Sequence, residues 1–480
     1  MAPQAAHFIA GEWVPPAHGE TIPVIDPSDG APFAQLARGG APDVDAAVRA
    51  ARAAFEGPWG ATGAAERGRV LYRLAQRVAE EREALARIEA RDTGKPLSQA
   101  RADAAALARY FEFYAGAADK LHGETLPYQP GYTVLTIREP HGVTGHIIPW
   151  NYPMQIFGRS VGAALAAGNA CVVKPAEDAC LSLLRVAALA AEAGLPAGAL
   201  NLVTGYGHEA GAALARHPGV DHLSFTGSPD TGRLVAQMAA EHHVPVTLEL
   251  GGKSPQIVFA DADLDAALPV LVGAIVQNSG QTCSAGSRVL IEHAIYEPLV
   301  DRLATAFNAL RVGPSQADLD CGPLINAKQQ QRVWDFLSDA QHDGIAMAAH
   351  GEVVPEAPET GFYQAPALLR DVPPSHRLAQ EEVFGPVLAA LRFRDEEEAL
   401  ALANGTPYGL VAGVWTRDGA RQLRIARRVR AGQVFVNNYG AGGGVELPFG
   451  GVGRSGHGRE KGFEALYGFT VLKTIALKHG

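Results

Sequence analysis

The pattern of hydrophobic and polar positions changes along the chain. Over residues 42–114, apolar positions recur at helical spacing among Ala, Arg and Glu, which predicts a run of amphipathic helices. Over 132–148, β-branched residues alternate with polar ones on both sides of a Pro-His-Gly turn, which predicts strands. From residue 169 onward, short apolar strands alternate with helices.

This alternation predicts two blocks of parallel strands joined by crossover helices, the second block extending from about residue 261 to residue 436. Ligands of such sheets bind at the carboxyl ends of the strands. The predicted elements are strands 169–174, 199–203, 220–225, 288–292, 387–393 and 432–437 and helices 180–193, 209–217 and 264–277.

Length and composition narrow the choice of partner. At roughly 100–200 residues per domain, 480 residues with 47% hydrophobic content predict two to four domains, each with its own core. The formal charge is −10, which gives no reason to expect nucleic acid or an anionic membrane as partner. A small molecule is the expected partner.

The four cysteines and the N-terminus predict a cytoplasmic location. The cysteines form no CxxC pair and are too few for a disulfide framework in a chain of this length. The N-terminus lacks the charged and apolar regions of a signal peptide, and no apolar stretch of about 18 residues occurs. We therefore expect a soluble protein that is neither exported nor membrane-bound.

Cys283 is the most informative residue of the chain. It lies among small and polar residues in the run GQTCS, directly after an apolar helix, and therefore in a predicted loop. A thiol with a lowered pKa or a neighbouring base is a nucleophile. Free cysteine is also among the most buried residue types, so an inert packing thiol is the alternative interpretation.

Glu249 is a candidate general base. It ends an apolar strand pattern in the run TLELGGK, before two glycines that are expected to let the backbone turn sharply. Burial between leucines would raise the pKa of its carboxyl group toward neutral pH, which suits proton abstraction. The alternative is a strand-end carboxylate with a salt-bridge partner.

Three further segments place polar groups at predicted strand ends. Asn151, between the prolines of PWNYP, is either an amide donor for an oxyanion or a turn asparagine. Strand 220–225 continues into FTGSPDTG, whose glycines and helix N-terminus suit a pyrophosphate. Lys174 and Glu177 of VVKPAE follow another strand, where they could hydrogen-bond an adenosine ribose.

The sequence predicts no metal site, because it contains no HExxH motif and no Cys/His cluster. The adjacent His242 and His243 point in different directions and are predicted to lie on the surface. The basic run 421–430 is predicted to be a solvated helix face rather than a binding patch.

Taken in order, seven motifs resemble the NAD(P)-dependent aldehyde dehydrogenase superfamily, in its hydrolytic branch. Glu249 and Cys283 have the family's separation, and the resemblance covers essentially the whole sequence. The motifs are PWNYP, VVKPAE, FTGSPDTG, LELGGKSP, GQTCSAGSR, EEVFGPV and ELPFGG.

The resemblance implies an α/β fold with three units. These are a Rossmann-like NAD-binding domain over 1–122 and 141–250, an α/β catalytic domain over 251–450, and a small β bridging element over 123–140 and 460–480. In the family, the bridging element joins subunits, so a homodimer or homotetramer is expected. An unpaired edge strand near the C-terminus would otherwise be exposed.

For catalysis, the resemblance implies that Cys283 attacks an aldehyde carbonyl to form a thiohemiacetal. The side-chain amide of Asn151 and the Cys283 N–H hold its oxyanion, and hydride leaves for the nicotinamide. Glu249 then activates the water that hydrolyses the thioester to the carboxylic acid. Among the alternatives, CoA-acylating relatives usually lack this glutamate, and a cysteine hydrolase or a non-catalytic binding protein leaves the other motifs unexplained.

For the cofactor, the resemblance implies NAD rather than NADP. The carboxylate of Glu177 accepts a hydrogen bond from the ribose 2′-hydroxyl and repels a 2′-phosphate. Trp150 lines the cofactor side of the site, and the motif EEVFGPV holds the nicotinamide ribose and ring. The implied cofactor residues are Lys174, Glu177, Gly227, Ser228, Gly232, Trp150, Glu382 and Phe384.

Arg159 and Phe449 are the implied substrate residues. Arg159 stands where many relatives have tryptophan, and succinate-semialdehyde dehydrogenases are similar in using an arginine to hold the substrate carboxylate. This favours a polar or carboxylate-bearing aldehyde. Two departures weaken this interpretation: Ala285 stands where many of those enzymes have a second cysteine, and residues 441–444 stand where they tend to have a serine. The glycines of 441–444 leave a roomy pocket, which equally suits an aromatic aldehyde or a broad range of aldehydes. A structural ion pair is the remaining interpretation of Arg159.

Overall fold

Two large β-sheets and a small three-stranded sheet organise the computed structural model, which also contains two two-stranded sheets and describes residues 5–440 and 444–480. The strands are β1 His7–Ile9, β2 Glu12–Val14, β3 Thr21–Ile25, β4 Pro32–Ala37, β5 Thr125–Leu126, β6 Tyr132–Pro140, β7 Val143–Ile148, β8 Ala170–Pro175, β9 Leu200–Leu202, β10 His222–Thr226, β11 Val246–Glu249, β12 Pro255–Val258, β13 Arg288–Glu292, β14 Arg311–Val312, β15 Met347–His350, β16 Glu352–Val353, β17 Ala367–Leu369, β18 Val387–Phe393, β19 Val411–Trp415, β20 Gln433–Val436, β21 Gly456–His457 and β22 Thr470–Lys478. The helices are α1 Ala41–Glu56, α2 Ala64–Glu80, α3 Arg82–Thr93, α4 Leu97–Ala117, α5 Pro153–Ala167, α6 Leu181–Glu192, α7 Ala212–Ala215, α8 Pro229–Ala240, α9 Leu264–Val276, α10 Tyr296–Asn308, α11 Ala327–His342, α12 Arg377–Gln380, α13 Glu396–Ala403, α14 Gly419–Arg428 and α15 Glu464–Gly468.

The first large sheet has the strand order of a dinucleotide-binding fold. Its order is β2-β1-β9-β8-β7-β10-β11-β21, and the five strands from β9 to β11 are parallel. Numbered along the chain, these five strands run 3-2-1-4-5, so the order reverses between β7 and β10. Ligands of such sheets bind at this switch point, beyond the carboxyl ends of the strands.

The second large sheet lies in the C-terminal half of the chain. Its order is β15-β17-β18-β13-β12-β19-β20, and all neighbouring strands are parallel except β15. The central strands β12 and β18 are buried along nearly their whole length, as expected for a sheet covered by helices on both faces. Both sheets confirm the predicted α/β fold class.

The small sheet joins two distant parts of the chain. Strand β22 pairs antiparallel with β6 along nine residues, from Thr470 opposite Pro140 to Lys478 opposite Tyr132, and β5 pairs with the other edge of β6. The predicted strands over 132–148 are confirmed, but β6 belongs to this small sheet and β7 to the first large sheet. Gly142 has a φ of +131° in the turn between them, a conformation that glycine adopts without a steric penalty.

Most predicted elements are confirmed, and one is wrong in part. The predicted strands over 288–292 and 387–393 match β13 and β18. The helix predicted over 209–217 is instead a π-helical turn, Gly207–Gly211, followed by the four-residue α7. The two glycines that bound this turn weaken an α-helix, which the periodicity of the segment does not reveal.

The basic run near residue 421 forms the exposed face of α14, as predicted. Its arginines form ion pairs with carboxylates of the neighbouring helix α13, including Arg424 with Glu396 and Arg428 with Glu397. In the part of the chain that the structure describes, no helix is both long enough and apolar enough to cross a membrane.

Arg288 ties the centre of the second sheet to the loop that follows Glu249. It begins β13, its side chain is buried, and its guanidinium donates to the carbonyl oxygens of Lys253 (2.9 Å), Leu402 (2.8 Å) and Ala403 (3.0 Å). The last two carbonyls end α13, where the helix dipole favours a cation. Burial lowers the pKa of Arg288 to about 10.

We expect Arg288→Met to destabilise the protein strongly. The substitution keeps most of the buried volume but leaves the carbonyls of Lys253 and Ala403 without a donor, at about 1–3 kcal/mol each, while the Leu402 carbonyl keeps the N–H of Gly405 (3.3 Å). The free energy of unfolding should therefore fall by about 2 kcal/mol or more. Urea unfolding followed by tryptophan fluorescence measures this. Arg428→Met, which removes an exposed ion pair with Glu397, is the matched control; equal unfolding midpoints for the two variants would contradict the expectation.

Candidate functional site

The predicted site residues lie at the carboxyl edge of the first large sheet and in the loop before β13 of the second. Glu249 is the last residue of β11, and Asn151 follows the end of β7, so both lie at the carboxyl edge of the first sheet. Cys283 comes from the loop between α9 and β13. The Asn151 side-chain Nδ2 donates to the carbonyl oxygen of Gln281 (3.0 Å), which joins the two loops.

Cys283 differs from the other three cysteines in its exposure. Its side chain is half-buried and packs against Leu410, Val411 and Phe449, whereas Cys171, Cys180 and Cys321 are fully buried. Desolvation raises the pKa of the Cys283 thiol to about 12, and the nearby Arg159 guanidinium opposes this rise. The thiol is therefore protonated at neutral pH in the protein alone.

The backbone before Cys283 is bent by three left-handed residues. Asn278, Ser279 and Gly280 have φ angles of +50°, +54° and +72°. A Cβ at Gly280 would lie 2.1 Å from the carbonyl oxygen of Gly385, so only glycine fits there. The analysis of hydrophobic periodicity misses this bend; an Asn-Ser-Gly run after an apolar helix is the signal that could have indicated it, because Asn and Gly tolerate left-handed φ.

Glu249 is buried without a hydrogen-bond partner. Its side chain is 1% exposed, and neither carboxylate oxygen hydrogen-bonds to any residue within 5–440 and 444–480. Desolvation raises the pKa of Glu249 well above its usual range, Glu460 raises it further, and Arg159 lowers it. Among the described residues, Glu249 therefore does not form the salt bridge that was its alternative interpretation. Its carboxyl group has the raised pKa expected of a general base.

Glu249 also depends on a glycine beside it. Gly450 has a φ of +155°, and a Cβ there would lie 2.7 Å from Glu249 Oε1. Gly251 and Gly252, in contrast, do not make the predicted sharp turn, since neither has a positive φ. A Cβ at Gly251 would lie 2.1 Å from Glu382 Oε2, so the absence of a side chain instead lets this carboxylate approach the backbone.

Arg159 forms a structural ion pair, which was one of the interpretations of this residue from the sequence. Its Nε lies 2.5 Å from Glu460 Oε2, and the guanidinium stacks 4.8 Å from the centre of the Phe449 ring. Glu460 Oε1 in turn accepts a hydrogen bond from Ser224 Oγ (2.9 Å). Arg159 Nη2 is buried and has no acceptor among the described residues. Glu460 was not predicted from the sequence, because it lies in the run GREKGF, which has neither strand nor helix periodicity.

The predicted adenosine residues lie together at the carboxyl edge of the first sheet. Lys174 Nζ lies 2.8 Å from Glu177 Oε2, and the Gly207 N–H contacts Glu177 Oε1 at 3.5 Å. Ser228 caps α8, since its Oγ accepts from the Thr231 N–H (3.3 Å). Glycines 227 and 232 keep this turn close to the sheet: a Cβ there would lie 2.5 Å from the Phe225 ring and 2.6 Å from Leu250, respectively.

The predicted nicotinamide residues form a second group. The rings of Trp150 and Phe384 meet edge to face with centroids 5.4 Å apart. The Gly252 N–H donates to Glu382 Oε1 (3.0 Å), and desolvation raises the pKa of Glu382 to about 7. Residues 441–443 of the predicted roomy pocket lie outside the described residues. Among the described ones, no cluster of three or more His, Cys, Asp or Glu side chains could hold a metal ion.

The raised thiol pKa predicts how Cys283 reacts with iodoacetamide. Only the thiolate is alkylated, so without cofactor the rate should increase about tenfold per pH unit between about pH 7 and pH 9. Mass spectrometry of quenched samples measures the rate. Cys283→Ser should abolish the modification, because the other three thiols are buried. A rate that levels off below about pH 8 would contradict the raised pKa.

Comparison with known proteins agrees with this geometry. Residues 13–475 match the aldehyde dehydrogenase family. The chain is 43% identical to the hydroxyisobutyraldehyde dehydrogenase of Mycolicibacterium austroafricanum over 98% of this chain and 93% of that protein. A crystal structure of a candidate aldehyde dehydrogenase from Burkholderia cenocepacia is 86% identical, with a TM-score of 0.99 over 99% of this chain and 100% of that one. The NAD⁺ complex of an aldehyde dehydrogenase from Bacillus cereus is 41% identical, with a TM-score of 0.97 over 100% and 97%. The chain therefore belongs to the aldehyde dehydrogenase family of NAD(P)-dependent oxidoreductases.

Proposed function

We propose that this enzyme oxidises a polar or carboxylate-bearing aldehyde to the carboxylic acid, with NAD as the preferred cofactor and water as the acyl acceptor. The observation that carries the proposal is the buried, unpartnered carboxyl group of Glu249 at the same site as the half-exposed thiol of Cys283. Burying a carboxyl group without a partner destabilises the fold, so its presence at this position favours a role in the reaction.

The first step uses Cys283 and Asn151. Cys283 first gives its thiol proton to water, and the nearby Arg159 guanidinium favours the thiolate. The thiolate then adds to the aldehyde carbon and forms a thiohemiacetal, and the carbonyl oxygen becomes an oxyanion. One N–H of the Asn151 amide is used by Gln281, which fixes the direction of the group and leaves the other N–H for the oxyanion, together with the Cys283 N–H. Oxidation then leaves the acyl group on Cys283 as a thioester.

The second step uses Glu249. As a base it takes a proton from water, the resulting hydroxide attacks the thioester carbon, and the Cys283 thiolate leaves as the carboxylic acid forms. The raised pKa of Glu249 makes it a stronger base than an exposed glutamate, while Arg159 keeps the carboxylate form accessible. CoA-acylating relatives usually lack this glutamate, so its presence favours water as the acceptor.

The residues present fit NAD. The capped N-terminus of α8 offers backbone N–H groups for a pyrophosphate at the switch point of the first sheet. Lys174 and Glu177 offer a donor and an acceptor for a ribose, and the Glu177 carboxylate favours a 2′-hydroxyl over a 2′-phosphate. Trp150, Glu382 and Phe384 would hold the nicotinamide ribose and ring, which supplies the hydride acceptor when NAD is bound.

The substrate proposal rests on Arg159. Its Nη2 is a buried donor without an acceptor among the described residues, and its ring partner Phe449 also packs in the cluster beside Cys283. A polar group on the substrate would satisfy this donor. The named substrate of the 43% identical relative bears a hydroxyl group, in line with this requirement.

An aromatic or broad range of aldehydes is the second candidate. It is favoured by the aromatic rings that pack near Cys283, those of Phe435, Tyr439 and Phe449. A flat apolar aldehyde would bury its ring against them.

The exposed edge of the small sheet supports a proposal for the subunit arrangement. Strand β22 exposes Val471, Leu472 and Leu477 along the free edge of the small sheet, which favours pairing between subunits in a homodimer or homotetramer. The three-domain division remains our proposal, with the small sheet as the bridging element.

We also propose a cytoplasmic location, which the absence of a disulfide framework in the sequence favours.

Glu249→Gln should separate the two steps. The amide cannot take a proton, so we expect a first burst of NADH of about one equivalent per active site, followed by a steady-state rate at least about 100-fold below wild type. Stopped-flow absorbance measures both phases. Cys283→Ala is the matched variant and should show neither burst nor turnover while it still binds NAD. Full steady-state rate in Glu249→Gln would show that another group is the base.

Arg159→Leu tests the substrate class. Because the single substitution would leave Glu460 buried and unpaired, the variant to measure is Arg159→Leu with Glu460→Gln, against Glu460→Gln alone. We expect the loss of Arg159 to raise the KM for succinate semialdehyde about tenfold or more relative to butyraldehyde. An equal change for both aldehydes would remove the polar-substrate proposal, and a preference of wild type for benzaldehyde over both would support the aromatic alternative.

A further inference from the structure

A buried lysine outside the predicted site touches the backbone of the oxyanion asparagine. Lys95, just before α4, is 1% exposed, and its ammonium group contacts Glu89 Oε1 (3.1 Å), Asp103 Oδ2 (2.5 Å) and the carbonyl oxygen of Asn151 (3.0 Å). An ammonium group has three donors, and all three are used. Lys95 Nζ also lies 4.4 Å from the centre of the Tyr152 ring, on the residue after Asn151.

Asn151 is held at both its backbone and its side chain. Its carbonyl oxygen accepts a second hydrogen bond from Asn278 Nδ2 (2.9 Å), and its own Nδ2 donates to the Gln281 carbonyl oxygen. Asn278 and Gln281 both precede Cys283 in the bent loop, so these bonds couple the amide to the thiol. Lys95 is the charged donor to the Asn151 carbonyl, and hydrogen bonds from charged donors are roughly twice as strong as neutral ones.

The two carboxylates of the cluster contact the chain on the C-terminal side of Asn151. Glu89 Oε2 accepts from the backbone N–H of Met154 (3.3 Å), and Asp103 Oδ1 accepts from Gln155 Nε2 (2.5 Å). Both residues lie in the first turn of α5. One charge cluster therefore fixes the loop at Asn151 itself and at the two residues that begin α5 after it.

Stability alone does not account for this cluster. Removing three charges from water is costly, and well-packed uncharged residues of similar volume are often as stable or more stable. Apart from Ser182 Oγ, which donates to Glu89 Oε2 (3.0 Å), the side-chain hydrogen bonds of the cluster to other parts of the chain converge on the loop that carries Asn151 and the start of α5. We propose that Lys95 is a positioning residue of the reaction: its ammonium group holds the Asn151 carbonyl so that the free N–H of the side-chain amide faces the carbonyl oxygen of the substrate.

This inference rests on the proposed function, in which Asn151 stabilises the oxyanion. Misplacing a donor by about 1 Å costs up to about 100-fold in rate, and deleting an oxyanion donor costs about 100- to 1,000-fold. The effect should be on the burst rate of NADH formation at saturating aldehyde, with the dissociation constant of NAD unchanged, because the cluster touches no predicted cofactor residue.

The test is a double-variant cycle with Asn151→Ala. Lys95→Met with Asp103→Asn removes the ammonium together with one carboxylate, and Asp103→Asn alone, which keeps Lys95, is the reference. Desolvation raises the pKa of Glu89 and Lys95 lowers it, so this carboxyl group can take up a proton when the lysine is absent. In the Asn151 background, we expect loss of Lys95 to lower the burst rate by about 10- to 100-fold. In the Asn151→Ala background, the same change should lower it by less than about threefold.

Each outcome decides the question. An equal loss in both backgrounds would show that Lys95 acts through the general stability of the site, and no loss in either would show that it does not position Asn151; both overturn the inference. If Asn151→Ala itself leaves the burst rate unchanged, the proposed oxyanion role fails, and this is visible without any Lys95 variant. If the double variant does not fold, the uncharged triple Glu89→Gln, Lys95→Met and Asp103→Asn is measured in the same way against Glu89→Gln with Asp103→Asn.

Discussion

The ion pair between Arg159 and Glu460 sets the electrostatics of the site. Glu249 and Cys283 are both acids in a water-poor space, and Arg159 is the cation that lowers the pKa of each. Glu460 offsets part of that effect, since its own carboxylate raises the pKa of Glu249. Arg159 thus lies close enough to both groups to favour their ionised forms, so a small local change, such as a bound ligand, can shift their protonation.

The geometry of the site depends on contacts between two distant parts of the chain. The first sheet supplies Asn151 and Glu249, and the loop before β13 supplies Cys283. Each connection pairs a side chain with the main chain: the Asn151 amide donates to the Gln281 carbonyl, and the Gly252 N–H donates to Glu382. Because one partner of each bond is main chain, the relative position of nucleophile, base and oxyanion donor follows in part from the packing of the two backbones.

Much of this arrangement could be predicted from the sequence, but not its polar interior. Parallel strands and crossover helices follow from local periodicity, so β13 and β18 were predicted to the residue. Glu249, Cys283 and Asn151 were found because unusual residue types sit at strand ends or in loops. Glu460 and Lys95 were missed because each acts through a residue far away in sequence, Arg159 and Asn151 respectively, and only tertiary packing brings these pairs together. The bend at Asn278 was missed for a different reason, since three left-handed residues leave no trace in hydrophobic spacing.

The net negative charge of the protein raises the question of how an anionic cofactor is attracted to its site. An anionic cofactor must enter a chain of formal charge −10, yet two cations among the predicted ligand residues, Lys174 and Arg159, are each paired with a glutamate. Paired in this way, they contribute direction more than net charge. In the proposed NAD site, the N-terminus of α8 would add backbone N–H groups whose dipoles need no counter-ion, and Asp230 in its first turn lies 3.5 Å from Arg454, which offsets its charge. On this proposal, backbone donors supply much of the attraction for the pyrophosphate, and the paired lysine and arginine serve to discriminate between hydroxyl, phosphate and carboxylate groups.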